Sequence, residues 1–244
     1  MFASLLAALI ALGSAQPDDS YLYRTLMLRA APGQLLEVIE LFKARMPAYE
    51  ATGGHAPLMM RHSQGDQWDL LLLYPMGSFT EYYSAERTAQ RASRAAQSGM
   101  SDAEFERTVN ELVSWREDLF VSGPPLEEVR RAFAENAYYH VEMFIALPGK
   151  RDALLEERRM ENAYLRGIDR PLNLIFTRVA GAAWDLYTIG FYADVKHWAA
   201  VADVPAERRD ASARAAGFEG ADRIGTYMRT LIQLHHDTLA TAVH

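Results

Sequence analysis

His140 and Glu142 stand two residues apart in the stretch Tyr-Tyr-His-Val-Glu-Met-Phe-Ile-Ala that begins at Tyr138. On an extended chain, alternate residues share a face, so this imidazole and carboxylate lie side by side. A neighbouring carboxylate raises a histidine's pKa and fixes its tautomer, which suits general acid–base work. His140 and Glu142 are therefore the candidate catalytic residues. Tyr138 and Phe144 share their face, while Tyr139, Val141, Met143 and Ile145 form the other, uniformly apolar one. A similar earlier stretch places Arg24 at the position of His140, and Tyr187 adds an aromatic ring from a later strand. Arg24, Tyr138, Phe144 and Tyr187 are the candidate ligand-binding residues.

Other polar groupings carry weaker signals. His235-His236-Asp237 resembles a metal motif. Adjacent residues point about 100° apart on a helix and to opposite faces on a strand, so one ion would rarely take both imidazoles. No His-x-x-x-His or Glu-x-x-His pair occurs, and local spacing defines no metal site. Arg87, Arg91 and Arg94 fall on one helix face and read as a solvated stripe, with anion binding as the alternative. Trp68-Asp69 and Trp184-Asp185 read as architectural, the indole packing between layers and the carboxylate tying down backbone. Dinucleotide-binding glycine motifs, P-loops, nucleophile elbows and His-Glu-x-x-His are all missing, so those enzyme classes lack support.

The elements that must position these residues come in two similar sets. Tyr23, Trp68-Asp69-Leu70 and Tyr82 are matched by Tyr139, Trp184-Asp185-Leu186 and Trp198, always 116 positions later. The repeats span residues 21–121 and 137–243, and residues 122–136, with Gly123-Pro124-Pro125, read as a linker that could hold a short helix. In the first repeat, strand 21–29 is followed by an amphipathic helix over 34–50, strands 57–62 and 68–74, helical sequence over 79–117 and a short strand over 118–122. In the second, strand 138–146, helix 150–166 and strands 172–178 and 184–191 precede helices over 194–202 and 206–236 and a weak strand over 237–243.

Half of the 244 residues are hydrophobic, enough for a sizeable core. With 25 basic and 32 acidic residues the net charge is −7, which disfavours nucleic acid and anionic membrane surfaces as partners. The chain has no cysteine, which excludes disulfides, thiolate metal sites and cysteine nucleophiles. Residues 1–12 form an uncharged apolar run, followed by Gly13-Ser14-Ala15. This fits a signal peptide cleaved after Ala15, and hence a periplasmic or secreted protein with no integral membrane segment after cleavage.

The order β-α-β-β-α-β, present twice, resembles the dimeric α/β-barrel superfamily in its fused form. That group includes antibiotic-biosynthesis-type monooxygenases, EthD-like and NIPSNAP-like proteins, and chlorite-dismutase-like haem proteins. The resemblance implies an α+β fold in which two tandem ferredoxin-like modules form an intramolecular barrel. It also implies a cavity between the two sheets. Val141, Met143 and Ile145 would then turn toward the helices. Tyr138, His140, Glu142 and Phe144 would face the cavity, with Arg24 approaching from the first repeat. The function so implied is binding of a small, largely apolar molecule, with cofactor-free oxygenase or acid–base chemistry. Haem binding, with an axial ligand from His55, His62, His197 or the 235–236 pair, is the alternative cofactor reading; a non-catalytic assembly protein is the third. The Gly-x-x-Asp-Gly signature of dye-decolorising peroxidases is missing, and the residues select neither a reaction nor an oligomeric state.

Overall fold

The computed structural model describes residues 20–243. The expected signal peptide lies outside the described residues. No helix among the described residues is long and apolar enough to cross a membrane.

The first module runs β1 (Tyr21–Ala30), α1 (Leu35–Ala51), β2 (Leu58–Gln64), β3 (Leu70–Gly77), α2 (Phe79–Tyr82), α3 (Ala85–Ser98), α4 (Asp102–Leu112) and β4 (Val113–Gly123). Helix α5 (Leu126–Glu135) follows. The second module runs β5 (Tyr138–Ala146), α6 (Arg151–Gly167), β6 (Leu174–Gly181), β7 (Leu186–Tyr192), α7 (Val195–Ala199), α8 (Ala206–Ala215), α9 (Ile224–Arg229) and β8 (Ile232–Ala242). Short helices are started by local chemistry: Ser84 caps α3, and Ser101 with Glu104 forms a capping box on α4.

The eight strands close into one barrel in the order β1-β3-β2-β8-β5-β7-β6-β4. Each module contributes four antiparallel strands, and the seams are β2–β8 and β4–β6. The last strand of each module is longer than its sequence suggests. β4 begins at Val113 inside the expected helix, and β8 begins at Ile232. Their pairing along β1 and β5 supplies ladder bonds that outweigh the helical tendency of the sequence.

Matching positions of the two modules make matching contacts. Asp69 Oδ2 accepts from the Ala30 amide at 2.8 Å, and Asp185 Oδ2 accepts from the Ala146 amide at 2.9 Å. Trp68 and Trp184 are both buried in the barrel core. The Trp-Asp pairs are thus architectural, the carboxylate tying the end of one strand to the start of its neighbour. At each seam a glycine permits close approach. Gly65, at φ 121°, lies against the Asp237 backbone, and Gly181, at φ 100°, lies against the Asp118 backbone. A Cβ on Gly65 would sit 2.1 Å from the Asp237 carbonyl oxygen.

The space between the two half-sheets is filled by side chains. Tyr23, Met27, Leu71, Val141, Met143 and Ile189 pack there from both modules. Helix α5, within the expected linker, adds Leu126 and Val129 to the same core. An eight-stranded barrel is just wide enough to be filled in this way. Each large apolar side chain buried there contributes roughly 1.5–3 kcal/mol. Separate apolar clusters pack the helices onto the outside of each sheet.

Candidate functional site

The strand alternation expected for β5 holds, but its two faces are exchanged. Tyr139, Val141 and Met143 point into the barrel core. Tyr138, His140, Glu142 and Phe144 point outward, toward the helix layer. Phe144 packs with Leu154 of α6, Glu142 meets Arg158 of α6, and Tyr138 and His140 lie near Trp198. A closed barrel interior is sealed from water and takes the more uniformly apolar set. The outer face can hold charge because a helix brings a guanidinium to it and its rim reaches solvent. Tyr187 is thereby separated from His140. It lies inside the barrel, stacked on Phe176 with centroids 4.8 Å apart and hydrogen-bonded to Thr25 at 2.7 Å. Arg24 also faces outward and donates to Asp118 at 2.6 Å.

Each module therefore offers one polar space between its sheet and its helices. In the second module, β5 pairs with β8 so that Glu142 lies opposite Asp237 and Phe144 opposite His235. His235 stacks on Phe144 with centroids 4.8 Å apart, and its Nε2 lies 3.5 Å from Glu142 Oε1. His140 Nε2 meets Asp237 Oδ1 in a close hydrogen bond. From α6, the buried Arg158 forms a two-pronged pair with Glu157 at 2.6 and 2.7 Å, and reaches Glu161 at 2.7 Å and Glu142 at 3.4 Å. Burial pushes the Glu142 carboxyl up, but His235, Arg158 and His140 overcome this and hold it down at about 2. Glu161 goes the other way, raised to about 7 by burial and by Glu142. For His140, burial opposes the charged form; the Asp237 bond and Glu142 outweigh it, and the pKa is raised.

In the first module the corresponding space is a cavity of about 140 Å³. Its floor is Arg24 and Tyr74 on the sheet; α1 brings Arg45 and Tyr49, and α3 brings Arg87, Arg91 and Arg94. Most of these cations are engaged. Arg24 has Asp118, Arg45 has Asp102, and Arg87 has Glu81. Arg91 donates to the Tyr82 carbonyl at 2.7 Å. Arg91 and Arg94 both lack a carboxylate partner among the described residues, but Arg94 alone of the two is buried, at 8% exposed, and lies over the Tyr49 ring at 4.1 Å. Its Nε is buried without a hydrogen bond. At the same cavity His55 takes a 2.6 Å contact from Arg130 on Nδ1, which leaves the proton on Nε2. Burial lowers the His55 pKa, and Arg130 and Arg87 lower it further. The arginine stripe of α3 is thus a wall of a cavity, which its spacing alone could not distinguish from a solvated face.

Among the sequence candidates, His140 and Glu142 share one cluster with Phe144 at its edge, Arg24 lines the other module's cavity, Tyr138 borders His140 through Trp198, and Tyr187 belongs to neither site. His235 and Asp237 join His140 and Glu142. The sequence marks the 235–237 stretch as a weak metal motif but not its link to His140 and Glu142, because it sits some 95 residues away and meets β5 only through strand pairing.

Neither a protein-family model nor a curated protein sequence matches the chain. Solved structures do resemble it. An anthrone oxidase-like protein is 11% identical, with TM-score 0.58 over 93% of this chain and 92% of that one. A protein from Lactobacillus acidophilus NCFM named as a monooxygenase is 9% identical, with TM-score 0.53 over 91% and 94%. A mutant chlorite dismutase from Candidatus Nitrospira defluvii is 9% identical, with TM-score 0.51 over 93% and 93%. At these identities the likeness is one of fold: an α+β barrel built of two ferredoxin-like modules joined in tandem.

Proposed function

We propose that the protein binds a small organic anion in the cavity between the sheet and the helices of its first module. The observation that supports this most strongly is Arg94, a buried side chain with no carboxylate partner among the described residues. An uncompensated buried charge is costly, and a carboxylate or phosphate in the cavity would neutralise it. The two acids that line the cavity, Asp102 and Glu106, are already committed to Arg45 and Arg116. Tyr49, Tyr74 and Phe105 supply flat apolar walls, and about 140 Å³ suits a ligand of benzene size. The ligand so described has a planar body and one anionic group. His55, neutral at ordinary pH, supplies a donor or a proton-transfer group at the same cavity.

This reading moves the binding site from the space between the sheets, which is filled, and replaces a mostly apolar ligand by a charged one. At the two polar sites, size favours it over haem. A tetrapyrrole far exceeds the module-one cavity, and around His140 and His235 the space is occupied by Phe144, Glu157, Arg158 and Glu161. A thermal-melt screen of small anions against neutral isosteres tests the proposal. Benzoate is expected to raise the Tm and benzamide is not; equal shifts from both, or none from any anion, would overturn it.

A further inference from the structure

The geometry points to a divalent metal site in the second module, formed by His140, Glu142, His235 and Asp237 on the outer face of the β5–β8 ladder. The inference is independent of the anion cavity, which lies in the other module. Donor atoms of His140, Glu142 and Asp237 all lie within 4.8 Å of one another. Two donors on one first-row ion sit up to about 4 Å apart, given bonds of about 2.0–2.2 Å, so small side-chain shifts complete the sphere. His235 Nε2 lies 3.5 Å from Glu142 Oε1 and 4.0 Å from Asp237 Oδ2, buried and without a hydrogen bond. This imidazole nitrogen lies near two carboxylates without a well-formed hydrogen bond to either, so its lone pair can serve a metal ion.

The charge inventory gives a second reason. Glu142, Glu157, Glu161 and Asp237 converge on this space, and the one guanidinium there among the described residues, Arg158, is shared by three of them. Among the described residues Asp237 has only the imidazoles of His140 and His235 as cationic partners. A cation of charge two offsets most of this excess.

The first module supplies the contrast. Strand pairing places Arg24, Leu26, Arg116 and Asp118 where the second module has His140, Glu142, His235 and Asp237. There, Asp118 is neutralised by both guanidiniums, Arg24 at 2.6 Å and Arg116 at 3.1 Å. The second module replaces both arginines, which cannot ligate a metal, with imidazoles, which can, and replaces a leucine with a carboxylate. Two imidazoles and two carboxylates suit Zn²⁺, Fe²⁺ or Co²⁺ better than Ca²⁺, which prefers six or more oxygens. Asp237 is more than half exposed, so the sphere opens to solvent on that side.

The test is titration of tag-free, chelator-treated full-length protein with Co²⁺, read by visible absorption, with Zn²⁺ competition as a second readout. The expected result is saturable d–d bands that Zn²⁺ displaces. His140→Ala and His235→Ala should each weaken Co²⁺ binding by about tenfold or more, as loss of a ligand does. His197→Gln, on α7, should bind as the wild type does. Should either alanine variant fail to fold by circular dichroism, Asp237→Asn serves instead, since its exposed position tolerates the change. No uptake by folded wild-type protein, or unchanged affinity in the folded variants, would overturn the inference.

Discussion

Arg94 lies over Tyr49, its guanidinium carbon 4.1 Å from the ring centroid. The ring lends it cation–π attraction, but the charge itself goes unneutralised among the described residues. Replacing a whole buried ion pair by well-packed apolar residues is often neutral or stabilising by about 1–4 kcal/mol, and a buried charge without a counter-charge has still less to lose. Arg94→Met is therefore expected to raise the melting temperature while abolishing anion binding. A calorimetric melt checks this. A large loss of stability would mean that Arg94 is held for packing alone.

His55 provides a titration that reports on the same cavity. Burial and the nearby Arg130 and Arg87 place its folded pKa below the ordinary 6.5. The folded state thus takes up this proton less readily than the unfolded one. The neutral form's contribution to stability is fully present above 6.5 and is lost as pH falls through the depressed value. Histidine NMR signals followed against pH should show His55 titrating below 6.5. In Arg130→Gln the value should move part of the way back, because burial remains the larger cause. Anion binding should raise it.

Tyr187, which the sequence suggests as a ligand-binding residue, belongs to the barrel core. Its hydroxyl bonds Thr25 across the barrel interior at 2.7 Å. Tyr187→Phe leaves a buried threonine hydroxyl unpaired and should cost about 1–3 kcal/mol in a denaturation curve. Affinities for anion and Co²⁺ should stay at wild-type values. A change in either would return Tyr187 to a binding role.

Gly65→Ala tests the seam that positions Asp237. The new Cβ would strike the Asp237 carbonyl, and φ of 121° is unfavourable for any residue with a Cβ. Strain of this kind costs on the order of 1–3 kcal/mol. Because the backbone that must move carries Asp237, Co²⁺ affinity should fall along with stability, measured on the folded fraction. Wild-type stability would show that β2 and β8 do not approach so closely.

The repeat, the module order and the architectural role of Trp68-Asp69 and Trp184-Asp185 are legible in the sequence because matching residues recur at one spacing. The pleat of β5 is legible too, down to the residues that share each face. Which face turns inward is not. Val141, Met143 and Ile145 suit a helix layer as well as a sealed barrel, and apolarity alone does not separate the two. Only the presence of Arg158, Glu157 and Glu161 on α6 shows where His140 and Glu142 belong. The pairing of β5 with β8 is equally hidden. It depends on where a long strand begins, at Ile232, inside sequence that reads as helical. Likewise, the α3 arginines become a cavity wall only when Tyr49 and Tyr74 close over them.

The central claim rests on Arg94 as the counter-charge for a bound anion. The most direct test is isothermal titration of benzoate into the wild type and into Arg94→Gln at low and high salt. The wild type should bind with an affinity that falls as salt rises. Arg94→Gln should bind about tenfold or more weakly, the loss of one charge-assisted hydrogen bond of about 1.5–3 kcal/mol. Equal affinity in the two proteins, both correctly folded, would contradict the account.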